Sequence, residues 1–156
     1  MNKTMKEVAV GIDIGGTNTA FGIVDHNGNC LKKNSIATNV HKTPETFLDE
    51  LYKKVNDTIK SLDDIELKGI GIGAPNGNYY NGTIEHAPNL HWNGIIEMVN
   101  MSQKYYDLPI ILTNDANAAA MGEMIYGGAK NMQNFIEITL GTGLGSGIVI
   151  NGELVY

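Results

Sequence analysis

One Gly-rich strand–turn–strand unit occurs twice in this chain, and the duplication constrains the fold more than any other feature. The first copy runs from Val10 to Val24 around the loop Asp13-Ile14-Gly15-Gly16-Thr17-Asn18. The second runs from Ile136 to Ile150 around Leu140-Gly141-Thr142-Gly143-Leu144-Gly145. Each copy is an apolar alternating strand, a loop of Gly and Thr, and a second apolar strand, and each is followed by an Asn-Gly turn, Asn27-Gly28 and Asn151-Gly152. Backbone N–H groups in such loops, unobstructed by side chains, form concave anion sites. Two of them across a cleft can hold the phosphates of one nucleotide, whereas each alone also reads as an ordinary hairpin turn.

The remaining chain alternates strand and helix. Strands are expected over 8–14, 19–24 and about 30–37, linked by hairpins, the second through Asn27-Gly28. A helix follows, with Thr43 as N-cap, Pro44 at its first position and a body over 46–62. Phe47, Leu48, Leu51, Val55, Ile59 and Leu62 recur at helical spacing. Then come a strand over 68–74, a long loop over 75–94, a helix over 95–106, a strand over 110–113, a helix over 116–126, and strands over 135–140, 145–150 and 153–156. This order predicts an α/β fold: a mixed sheet with three antiparallel strands followed by parallel strands covered by helices. Only four residues follow the second Asn-Gly turn. The chain therefore reads as the first half of a longer protein.

Composition narrows the function. The 42% hydrophobic content supports a packed core. A net charge of −6 argues against nucleic acid and anionic membranes as partners. The single cysteine, Cys30, supplies neither a disulfide nor a Cys-rich metal site. With no signal-peptide run at the start, a cytoplasmic location is expected.

Neither a P-loop nor a complete dinucleotide fingerprint is present: Gly141 and Gly143 begin the latter, but Ser146 stands at its third Gly and a strand follows. Phosphate recognition must come from the hairpin turns. Gly15 and Gly16 let the backbone approach a phosphate, the Thr17 hydroxyl and Asn18 can add bonds, and Gly141, Thr142 and Gly143 form the facing loop. Asp13, on the strand entering the first loop, could hold Mg²⁺ through waters. Asn114 and Asp115 lie between a strand end and a helix start, where α/β proteins bind ligands. Asp115 could accept a proton from a substrate hydroxyl that Asn114 orients. Both residue types also serve as helix N-caps, and the residues alone leave both readings open. His86 and His91 in the long loop either line a pocket or face solvent. Tyr79, Tyr80 and Trp92 either stack on a sugar or cover the loop's underside.

At these residues the chain resembles the ROK family of bacterial sugar kinases and repressors, most of all its glucokinases, within the superfamily of sugar kinases, heat-shock chaperones and actin. The matching strings are Gly11 to Asn18, Gly71-Ile72-Gly73-Ala74-Pro75, Ala87-Pro88-Asn89-Leu90, Asn114 to Ala119 and Leu140 to Gly147, in family order. The resemblance implies the ribonuclease H-like, actin-like ATPase fold, with an N-terminal domain over 1–115 and the helix and first hairpin of a second domain over 116–156. It implies ATP-dependent phosphorylation of a hexose, glucose to glucose 6-phosphate, by a homo-oligomer using ATP and Mg²⁺. A non-catalytic sugar- or nucleotide-binding regulator on the same fold is the alternative. Asp115 would be the catalytic base; Asn114, Asn89 and Gly73 would serve the sugar; Gly15 to Asn18 and Gly141 to Gly143 would serve the ATP phosphates. The family's further sugar contacts, its Cys-rich zinc motif and its adenine pocket would fall beyond Tyr156, so no zinc is expected in this chain. Family members often have Gly where this chain has Asn76. The repressor branch carries an N-terminal DNA-binding helical domain, for which a first strand at about Val8 leaves no room.

Overall fold

The structure is a computed structural model that describes residues 5–141 and 143–156. Its main sheet has five strands in the order β3-β2-β1-β4-β8. Strands β1 (Lys6–Ile14), β2 (Asn18–Asp25) and β3 (Cys30–Ala37) form an antiparallel meander, and β4 (Ile65–Ala74) and β8 (Ile110–Asn114) run parallel to β1. Period-two alternation builds its core face. Val8, Val10, Ile12 and Ile14 of β1 and Phe21 and Ile23 of β2 are buried, together with Phe47, Leu48, Leu51 and Val55 of helix α1 (Pro44–Lys60). The Thr43 side chain caps α1 by accepting the Thr46 amide at 3.3 Å.

Three elements differ from the sequence expectation. The segment 75–94 is not an irregular loop. Strand β5 (Gly77–Asn78) pairs with β6 (Thr83–Glu85), and β6 pairs in turn with β7 (Ile95–Ile96), as a small antiparallel sheet. The Glu85 carboxylate ties it together by accepting from Asn78, Asn81 and Thr83. The helix expected over 95–106 shrinks to α2 (Met98–Ser102), because Ile95 and Ile96 are taken by strand pairing. Tyr105 and Tyr106 instead hydrogen-bond Asp49 and Asn56 of α1. Strand β4 also begins at Ile65, three residues early, where the Lys6 amide donates to the Asp64 carbonyl.

Helix α3 (Asp115–Tyr126) leads into a second, three-stranded antiparallel sheet, β9 (Phe135–Leu140), β10 (Leu144–Ile150) and β11 (Glu153–Val155), ordered β11-β10-β9. Small residues bring α3 onto both sheets. A Cβ at Gly73 of β4 would lie 3.3 Å from Ala118 Cβ, and one at Gly147 of β10 would lie 2.5 Å from Ala120 Cβ. Ala116 and Ala120 are fully buried there.

Candidate active site

The two Gly loops, the 86–91 segment and the β8–α3 junction converge on one cleft of about 430 Å³. Asp13, Gly15, Gly16, Asn89, Asn114, Asp115, Gly141 and Gly143 all line it. Strand ends explain the convergence. Asp13, Gly73 and Thr113 lie abreast on β1, β4 and β8, so the turn after β1 and the helix after β8 leave the sheet at the same edge.

The first loop is held from both sides. The Gly15 amide donates to the Asn18 carbonyl at 3.1 Å, and the Thr17 carbonyl accepts the Thr38 amide at 2.8 Å. A Cβ at Gly16 would overlap the Asn89 carbonyl oxygen, so glycine is what allows this loop to meet the 86–91 segment. Thr17 and Asn18 are exposed and lie outside the cleft lining. In the facing loop the Gly141 amide donates to the Gly143 carbonyl at 3.0 Å, closing a tight turn. Thr142 lies outside the described residues.

At the β8–α3 junction the capping role falls first on Asn114, whose Oδ1 accepts the Ala116 amide at 2.9 Å; Asp115 Oδ1 accepts the same amide at 2.8 Å. Each side chain keeps one further polar atom, the Asn114 amide nitrogen as donor and Asp115 Oδ2 as acceptor. Asp13 shares the cleft with Asp115, and its pKa is raised by burial first and by the Asp115 charge second. No Lys, Arg or His is among the described residues lining the cleft. Asp13 and Asp115 are carboxylates of the kind that suits Mg²⁺ arriving on a nucleotide and keeping several waters. Asp13 would face that ion through water.

Gly73 sits behind the cleft, under α3, where it lines a second cavity of about 390 Å³ with Asp13 and Asp115. Trp92 is buried against Phe47, its Nε1 donating to the His41 carbonyl, and so covers the underside of the loop. Tyr79 and Tyr80 are exposed, Tyr79 stacking on Tyr156 and Tyr80 meeting it edge-on, and His86 and His91 are exposed outside the cleft. Sequence reasoning missed Ile14, Pro75, Thr139, Leu140, Leu144 and Gly145 as lining residues, and Asn76 beside them. Asn76 adopts a φ of 51°, the left-handed region that Gly favours and Asn tolerates. Its side-chain amide donates to the carbonyls of Glu85 and His86. The departure from the family's glycine therefore keeps the glycine-type turn.

Residues 9–156 match the sequence profile of the ROK family. Over 148 residues the chain is 39% identical to the glucokinase of Streptomyces coelicolor, covering 94% of this chain and 45% of that protein. It is 31% identical to the xylose repressor of Bacillus subtilis, covering 94% of this chain and 38% of the repressor. Its fold superposes on a ROK family glucokinase from Streptomyces griseus, crystallised with glucose and AMPPNP, with a TM-score of 0.80 at 35% identity, covering 95% of this chain and 46% of that one. The chain thus spans less than half the length of these relatives. With a family match over nearly its whole length and the mixed actin-like sheet behind the cleft, the chain belongs to the ROK family.

Proposed function

We propose that the protein carrying this chain is an ATP-dependent hexose kinase that converts glucose to glucose 6-phosphate. The observation that carries this reading is the meeting of Asp115, Asn114 and Asn89 with both Gly loops in one cleft. In this reading Asp115 Oδ2 accepts the proton of a sugar hydroxyl. The hydroxyl oxygen forms a bond to the γ-phosphorus of ATP as the bond to the β-bridging oxygen breaks, and ADP leaves. Asn114 donates through its side-chain amide to the same sugar and Asn89 faces it across the cleft. Gly15, Gly16, Gly141 and Gly143 bring backbone close to the phosphates, with Thr17, Asn18 and Thr142 assigned to the same two loops. Mg²⁺, when bound, neutralises phosphate charge beside Asp13.

Hexose-dependent ADP release measured on Asp115→Asn tests this reading. Asn114 remains the N-cap and an Asn side-chain oxygen at 115 still accepts the Ala116 amide, so the fold and AMPPNP binding are retained. Loss of the base lowers kcat by about 10²–10⁴. Turnover within a few-fold of wild type removes Asp115 from the mechanism. The similarity to xylose repressors supports a second reading, a sugar-responsive regulator without turnover. Sugar binding without any ADP release by the wild-type protein would select it.

A further inference from the structure

Three side chains line both the main cleft and the smaller cavity beneath α3: Asp13, Asp115 and Thr139. Two are the carboxylates already discussed. The third is the only hydroxyl among the described residues lining the main cleft. Thr139 lies on β9 in the phase opposite to Ile138 and Leu140, which puts it, half-buried, on the side of the strand that packs toward α3. Gly145 is its cross-strand partner, and a Cβ there would stand 2.5 Å from Thr139 Oγ1 and 3.0 Å from Ala116 Cβ. The hydroxyl thus rests over a glycine, beside the first turn of α3 and next in space to the residue that follows Asp115. Among the described residues it has no hydrogen-bond partner, and it is not sealed from the cleft.

A phosphoryl group moving toward Asp115 passes two carboxylates and, among the described residues lining the cleft, meets no basic side chain. Neutral donors at that junction are therefore worth most when charge spreads over the transferring oxygens. We propose that Thr139 is a further substrate-contacting residue, its Oγ–H donating to an oxygen of the transferring phosphoryl group between Asp13 and Asp115. The proposal rests on the kinase reading above. The hydroxyl keeps its proton throughout. It positions and stabilises the group and takes no part in bond exchange.

The test compares Thr139→Val, Thr139→Ala and Thr139→Ser in the protein carrying this chain, by glucose-dependent ADP release, AMPPNP affinity and melting temperature. Val keeps the shape and β-branching and lacks the hydroxyl. The expected result is a fall in kcat of about tenfold to a hundredfold for both Val and Ala, with KM for glucose within a few-fold. Ser is expected to return kcat to within about fivefold of wild type. A purely structural Thr139 gives the reverse order, with Val close to wild type and Ser impaired along with its melting temperature. Thr139→Val turning over within twofold of wild type overturns the proposal while leaving the kinase reading intact. Wild-type protein that releases no ADP with any hexose overturns the kinase reading, and the role of Thr139 falls with it. If Thr139→Val fails to fold, the Ala and Ser pair decides by the same kcat comparison.

Discussion

The α-carbon of Gly16 and the backbone carbonyl of Asn89 are packed so closely that no side chain fits between them. This single approach joins the first Gly loop to the 86–91 segment and sets the width of the cleft. Gly16→Ala is expected to force the two segments apart. Its φ is not in the left-handed region, so the cost is steric, about 1–3 kcal/mol for an overpacked site. Urea unfolding measures that cost, and calorimetry should show AMPPNP and glucose affinity falling together. Unchanged stability with unchanged binding would mean that the loops separate freely.

Asp13 illustrates a conflict between folding and binding. Burial and the charge of Asp115 raise its pKa, so the native state holds the ionised form at a cost above that raised pKa. The cost fades as the pH falls toward the unfolded value. Asp13→Asn is therefore expected to raise the melting temperature at pH 7 without Mg²⁺, with the gain vanishing in acid. The same variant should weaken the Mg²⁺ dependence of AMPPNP binding. A variant less stable than wild type at pH 7 would contradict this account.

Asp25 works the other way. Its carboxylate is buried, pairs with Lys6 Nζ at 2.7 Å and accepts the amides of Asn29 and Asn27 at the β2–β3 turn. Lys6 first, then Asn29 and Asn27, hold its pKa well below the usual carboxylate range against the opposing effect of burial. A lowered folded pKa gives stability that is complete above the unfolded value and lost as the pH falls below it. Asp25→Asn should lower the melting temperature at pH 7, and the gap to wild type should close as the pH drops below about 4. A gap that persists undiminished in acid would assign the effect to packing.

Asn76 separates backbone from side-chain contributions. Asn76→Gly keeps the left-handed backbone and gives up the bonds to Glu85 and His86. Asn76→Ala gives up those bonds and also strains the turn, by about 1–2 kcal/mol. Denaturant midpoints should rank wild type and Gly above Ala. Ala equal to Gly would show that the turn relaxes.

Local patterns made the scaffold legible and left its long-range features hidden. The alternation in β1 and β2 and the Thr43-Pro44 start of α1 depend on neighbours in sequence, so they could be read directly. The strands β5, β6 and β7 are only two or three residues long, too short for alternation to register, and they exist because Glu85 organises three side chains around it. The sequence predicts a helix over 95–106, yet Ile95 and Ile96 find a strand partner in β6, a long-range pairing that neighbours in sequence do not announce. At the cleft, Gly15, Gly16, Asp115 and Gly141 stood out by residue type. Thr139 did not, because one polar residue within an apolar strand gains meaning only when α3 and Gly145 are placed against it.

Helix α3 meets Gly73 on one side through Ala118 and the Asp115 backbone, and Gly147 on the other through Ala116 and Ala120. These contacts bring the helix backbone close to both sheets, and at its far end Tyr126 packs on Gly28 and donates to the His26 carbonyl. Asp115 is its first residue. The small residues that seat this helix therefore fix the separation between the carboxylate and both Gly loops, and with it the distance over which the proton travels.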